Sequence, residues 1–167
     1  MRRRLVTSAE QLQVQAIEDS LYAQSYCSDK LRPMPHILVV DDHENTAKAM
    51  TALLRRLGYD ASCALNANDA LESLRNKPTA LVLLDVMMPQ TSGLRLLETM
   101  RADSSLAGVP VIIHSAYCDP VTQSEALRLG AVSYLLKDYL PLNKIREVIE
   151  TYAGKADSAP ATVAQGD

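Results

Sequence analysis

Three carboxylates, one hydroxyl and one amine stand out in this chain for where they fall. Asp41 and Asp42 directly follow the apolar run 37–40, and Asp85 directly follows the apolar run 80–84. Ser115 and Lys137 stand at the ends of two further runs, beginning at 109 and 132. Gathered at one end of a sheet, such acids repel. Two like charges ~4 Å apart at an effective dielectric near ~20 cost roughly 4 kcal/mol. The group therefore needs a cation or must take up protons. A hard divalent ion with oxygen ligands meets that need, and Mg2+ suits a few carboxylates completed by water and phosphate oxygens. A hydroxyl and an ammonium beside those acids suit a tetrahedral anion with several acceptor oxygens. The plainer reading is an acidic pair at a helix N-terminus, which carboxylates favour. That accounts for Asp42 alone, and not for acids at two strand ends facing a lysine.

For these groups to meet, the chain must bring several strand ends together. The runs 37–40, 80–84, 109–113 and 132–136 are continuously apolar, and 59–65 is a weaker fifth. Continuous hydrophobicity marks strands buried on both faces, hence a parallel sheet covered by helices. Stripes at helical spacing lie between them: Ala47, Met50, Leu54 and Leu57 ahead of Gly58; Ala70, Leu71 and Leu74; Leu94, Leu97 and Met100. Ala126 with Leu129 precedes Gly130, and Ile145, Val148, Ile149 and Tyr152 form the last. Five such units predict an α/β fold, a doubly wound (βα)5 domain with a five-stranded parallel sheet. In the common order 2-1-3-4-5 the first and third strands are neighbours, so Asp41, Asp42 and Asp85 converge where ligands bind in such sheets.

The domain is expected over residues 36–154. Residues 1–35 read as an N-terminal extension, partly helical, ending in the connector Arg32-Pro33-Met34-Pro35. Thr7 and Glu10 have the spacing of a capping box, and Val14, Ile17 and Leu21 fall on one helical face. That stripe suits homodimerisation or partner docking; the plainer alternative is a loosely attached helix. Residues 155–167, rich in Ala, Ser, Gly and Asp, read as a disordered tail.

Composition narrows the class. The net charge is −3, and apart from Arg2–Arg4 the basic residues are scattered, which argues against direct nucleic-acid binding. No apolar run reaches the length of a membrane span, and the polar stretch 7–15 with Glu10 rules against a signal peptide, so a cytoplasmic protein with no membrane insertion is expected. Cys27, Cys63 and Cys118 are odd in number, lack CxxC spacing and read as buried or free thiols.

Four segments resemble the receiver domain of bacterial response regulators, over roughly residues 34–154. The most specific is Leu83-Leu84-Asp85-Val86-Met87-Met88-Pro89-Gln90-Thr91-Ser92-Gly93, with its Asp, two residues, Met-Pro, three residues, Gly. Leu38-Val39-Val40-Asp41-Asp42 is similar to the family's acidic pair, and Ser115-Ala116 to its switch hydroxyl and following small residue. The segment Gly130-Ala131-Val132-Ser133-Tyr134-Leu135-Leu136-Lys137 is similar to the closing aromatic and lysine. The resemblance implies that Asp85 accepts a phosphoryl group from a sensor histidine kinase or histidine phosphotransfer protein. It implies Mg2+ held by Asp41, Asp42, Asp85 and the backbone carbonyl of Met87. Lys137 and Ser115 would bind phosphoryl oxygens, Ala116 would leave room for them, and Tyr134 would turn inward. The face of the fourth helix, fifth strand and fifth helix would then meet a downstream protein.

One departure is Asp138, where the family usually carries a proline after the lysine, often in a cis peptide. Cis before a non-proline residue costs about 2.5–4 kcal/mol. A trans bond, or a cis bond at a strain cost, is therefore expected, and with it a slightly displaced Lys137, weaker phosphoryl retention, or both. With little chain beyond the fifth helix, a stand-alone receiver is expected: a phosphoacceptor signalling domain that catalyses only its own phosphoryl transfer and autodephosphorylation. The main rival is a receiver-like scaffold that is never phosphorylated. An aspartyl phosphatase would want a second acid where Met87 stands, and a flavodoxin-like cofactor binder would want a phosphate loop after the first strand.

Overall fold

The computed structural model describes residues 34–89, 91–116, 119–137 and 141–154. The expected N-terminal helix, the C-terminal tail, Cys27, Cys118 and Asp138 lie outside the described residues. Strands and helices alternate through the described part: β1 (His36–Val40), α1 (Glu44–Arg56), β2 (Asp60–Ala64), α2 (Ala67–Asn76) and β3 (Leu81–Leu84). Then follow α3 (Gly93–Ala102), β4 (Val111–Ser115), α4 (Pro120–Arg128), β5 (Ser133–Leu136) and α5 (Leu142–Ala153). The strands form one parallel sheet in the order β2-β1-β3-β4-β5, as the sequence predicts.

Every residue of the three central strands β1, β3 and β4 is buried, which is why their sequences run apolar without alternation except at the ends, where His36, His114 and Ser115 stand. On one face, Leu38, Val82, Leu84 and Ile113 pack with Leu74 of α2, Leu97 and Met100 of α3, and Ala126 of α4. On the other, Ile37, Val39, Leu83 and Ile112 pack with Leu54 of α1 and Val148 and Ile149 of α5. Each fully buried side chain of this size contributes about 1.5–3 kcal/mol. The helices therefore divide as three against two around the sheet.

Boundaries differ from the sequence reading in one informative place. The fourth strand was expected from Val109 but starts at Val111 and extends to Ser115. Pro110 has no amide to offer a ladder, and the Val109 amide turns back to the Leu106 carbonyl at 3.0 Å. The strand thus carries two polar residues, His114 and Ser115, into full burial.

Two polar fixtures hold the frame away from the strand ends that carry the acids. The ring of His36 lies 3.1 Å from Thr79 Oγ1 and 2.9 Å from Ser62 Oγ, tying β1 to β2 and to the turn before β3. Arg101, at the end of α3, donates to the carbonyls of Ala107 (3.2 Å), Val109 (3.0 Å) and Gly130 (2.9 Å). Gly130 has φ 95°, and a Cβ there would lie 2.9 Å from Arg101 Nε, so both the turn and the arginine require glycine.

Candidate functional site

Because β1 and β3 are neighbours, the residues after them emerge side by side. The Asp41 amide donates to the Ala64 carbonyl (3.1 Å) and the Asp85 amide to the Val40 carbonyl (2.8 Å), so both acids are held by the last rungs of the sheet. Each is almost fully buried, at 2% and 4% exposure. Two places along, Lys137 leaves β5, with its amide donating to the Ser115 carbonyl at 2.9 Å. Its Nζ donates to Asp41 Oδ2 at 2.6 Å and to Asp85 Oδ2 at 2.7 Å. The lysine thus bridges acids from two strands. The displacement expected from Asp138 is not found: Lys137 reaches Asp85 directly.

The remaining carboxylate oxygens are held by the backbone of the following turns. Asp41 Oδ1 accepts from the His43 amide (2.9 Å) and Asp85 Oδ1 from the Met87 amide (3.0 Å). Asp42 is more open, and its Oδ1 lies 3.1 Å from His43 Nδ1. Asp41 and Asp85 converge on Lys137, and Asp42 follows Asp41 directly in the chain, so three carboxylates stand at this end of the sheet against one ammonium. The residue of two negative charges is the complement of one divalent cation, and the donor set is oxygen-rich, so the residues fit Mg2+. Asp41, Asp42 and His43 offer donor atoms all within 4.8 Å of one another. Asp85 is not in that group; it meets Asp41 at the Lys137 ammonium instead.

Glycine at position 93 is what lets α3 start so close to the acid. A Cβ there would sit 2.1 Å from the Asp85 carbonyl oxygen, and the Gly93 amide donates to the Val86 carbonyl at 3.1 Å. Ser92 caps the helix, its hydroxyl accepting from the Leu94 amide at 3.3 Å. Ser115 is fully buried at the end of β4, and Ala116 is exposed beyond it. Tyr134 is half-buried against the α3–α4 side of the core and pairs with Ile113 across the sheet. The side chain of Met87 is exposed.

Burial works against the charge on Lys137, yet its hydrogen bonds to Asp41 and Asp85 outweigh this and raise its pKa above the ordinary value. His114 has the opposite fate. Burial foremost, with the nearby Lys137 charge adding to it, lowers its pKa to about 4 against the pull of Asp41 and Asp85. It lines a cavity of about 240 Å³ on the α1–α5 side together with Met50, Leu53, Lys137 and Ile145. A second opening of about 380 Å³ runs past Asp42 between Asn66, Asp69, Met88 and Thr91.

Sequence reasoning missed His43 and His114. The first was signalled by its place directly after the acidic pair. The second was signalled by a polar residue inside an apolar strand. Cys63 is a free thiol, as one of the two sequence readings has it, and is exposed on the edge strand β2.

A doubly wound parallel sheet in the order 2-1-3-4-5, with a buried acid, an acidic pair on the neighbouring strand and a bridging lysine at its strand ends, places the chain in the flavodoxin-like class of α/β folds. Comparison with known proteins agrees: residues 37–150 match the family described as the response regulator receiver domain, and the chain belongs to it. Such domains serve two-component signalling and are not enzymes in the usual sense. Transcriptional regulatory protein ZraR of Salmonella typhimurium is 37% identical over 114 residues, 68% of this chain and 25% of that protein. DNA-binding response regulator MtrA of Mycolicibacterium smegmatis is 33% identical over 131 residues, 78% of this chain and 56% of that one. The chain thus spans about a quarter to a half of these curated relatives. Among solved structures, a response regulator receiver protein from Pseudomonas putida superposes with TM-score 0.68 at 31% identity, over 72% of this chain and 99% of that one. Vibrio cholerae chemotaxis protein CheY4, at 21% identity and TM-score 0.67, shares the fold. No helix among the described residues is long and apolar enough to cross a membrane.

Proposed function

We propose that this chain takes a phosphoryl group from a phosphohistidine onto Asp85 and signals through the face formed by α4, β5 and α5. The observation that carries the reading is the bridge of Lys137 between Asp85 and Asp41, which poises a buried carboxylate and a cation at one point. In the transfer, the P–N bond of the donor imidazole breaks and a P–O bond to an Asp85 oxygen forms. The leaving imidazole takes a proton from solvent.

Asp41, Asp42, Asp85 and the carbonyl of Met87 would hold Mg2+. When bound, the ion offsets charge on the phosphoryl oxygens, as is general for such transfers. Lys137 pairs with one phosphoryl oxygen once Asp85 Oδ2 is esterified or turned away. Ser115 donates its hydroxyl to another, and Ala116 leaves the entrance open. The new anion favours the Ser115 conformation that reaches it, shifting an existing equilibrium rather than creating a new state. Tyr134 then follows toward the vacated space and alters the α4–β5–α5 face for a downstream protein. Hydrolysis of the acyl phosphate by the same site resets it. The functional body is residues 36–154.

The test is the intact mass after incubation with Mg2+ and acetyl phosphate, with Asp85→Asn alongside. A single phosphoryl increment that requires Mg2+ and is absent from the variant is expected. Its absence under conditions that retain short-lived acyl phosphates would overturn the reading in favour of an unphosphorylated scaffold.

A further inference from the structure

We infer that His43 is a further donor to the divalent cation of this pocket, and that it biases the site toward ions that accept nitrogen. The inference rests on the Mg2+-dependent reading above and concerns which ion that pocket holds. His43 occupies the position just before α1, yet its ring makes no hydrogen bond to the helix it precedes. Instead Nδ1 lies 3.1 Å from Asp42 Oδ1 and 3.7 Å from Asp41 Oδ1.

Those separations have a simple geometric meaning. Two donors bound to one ion at ~2.1 Å each can be no more than ~4.2 Å apart. Both His43 contacts fall inside that limit without any change of backbone. The ring is 71% exposed, so an ion can arrive from solvent and the imidazole can adjust to it. Its nitrogen adds a donor that Mg2+ uses poorly, whereas imidazole suits Zn2+, Ni2+ and Co2+. Carboxylate and carbonyl oxygens alone suit Mg2+, Ca2+ and Mn2+. The specific claim is therefore an added preference that disappears with the ring.

The experiment compares wild-type and His43→Ala chains, freed of metal, by calorimetric titration with Mg2+, Co2+ and Zn2+. Loss of the ring removes no capping hydrogen bond, so the variant should fold, and its circular dichroism checks this. Co2+ and Zn2+ affinities are expected to fall about tenfold or more in the variant, equal to about 1.4 kcal/mol. Mg2+ affinity should change by less than about threefold. A histidine ring proton of the Co2+-loaded wild-type chain should shift far outside the diamagnetic range and be missing from the variant. The chain has only three histidines: His36 lies at the opposite end of β1, and a shifted proton of His114, which lines the same cavity as Lys137, would survive in the variant. If both chains bind Co2+ and Mg2+ alike and no shifted ring proton is lost with the substitution, His43 is not a ligand and the receiver reading stands. If wild-type binds none of the three ions, this inference and the Mg2+-dependent reading fall together.

Discussion

Lys137 and Asp85 lie 52 residues apart in sequence and 2.7 Å apart in space. The contact exists because β5 and β3 flank β4, so their ends open onto one pocket. It also means that the lysine serves as the pocket's resident cation, with Asp41 as its second partner.

Removing that cation should cost stability. Lys137→Met leaves two buried carboxylates without their cation, held only by the amides of His43 and Met87, and breaking a buried pair in this way costs about 3 kcal/mol. Urea denaturation without metal should show the loss, and added Mg2+ should restore more stability to the variant than to wild-type. The pH sign is fixed by the raised lysine pKa. Its contribution is complete below the unfolded value of 10.5 and is lost as pH rises through the higher folded value. An unchanged urea midpoint in the variant would show that the bridge contributes nothing.

His114 sets the acid side. Its folded pKa of about 4 lies below the unfolded 6.5, so the unfolded chain binds the proton more readily. Its contribution is present above pH 6.5 and is lost as pH falls toward 4. The difference amounts to about 3 kcal/mol across that window. His114→Leu should flatten the fall in unfolding free energy between pH 7 and 4; an equally steep profile in the variant would assign acid sensitivity elsewhere.

Gly93→Ala should be damaging out of proportion to one methyl group. The added carbon would strike the Asp85 carbonyl, so α3 or the acid must move, at ~1–3 kcal/mol. Lower phosphoryl uptake should accompany a lower melting temperature. Gly108→Ala is the control, since a Cβ there meets nothing within 4 Å. Equal effects from the two substitutions would remove the steric explanation.

Arg101→Ala should separate stability from chemistry. It strips donors from the carbonyls of Ala107, Val109 and Gly130, with an expected loss of ~1–3 kcal/mol. Phosphoryl uptake below the melting transition should persist. If uptake is lost while the fold survives, the arginine reaches the site through α3.

The sheet was legible because burial on both faces writes itself into sequence: β3 is apolar throughout, and β1 and β4 are so apart from His36 and the pair His114 and Ser115 at their ends. Their order could be read only through the common winding of such folds, and it then brought Asp41 beside Asp85. What escaped were features set by tertiary neighbours. Nothing in the spacing says that Arg101 reaches three carbonyls, or that Gly93 lies on a peptide eight residues earlier. His114 lies just past the apolar run 109–113, and only its burial in β4 shows that its titration is displaced. Lys137 was expected to be pushed aside by its unusual successor, yet two carboxylates attract it strongly enough to hold it in line.

The hydrogen bond from the Lys137 amide to the Ser115 carbonyl has a mechanical implication. It makes the serine and the lysine two ends of a single crossbar, rigid at the backbone. A shift of the main chain at position 115 must drag the lysine with it, whereas rotation of the hydroxyl alone leaves the bar still. A switch that keeps this rung must therefore run through side chains, as the hydroxyl of Ser115 and the ring of Tyr134 allow, with the main chain at this point held still.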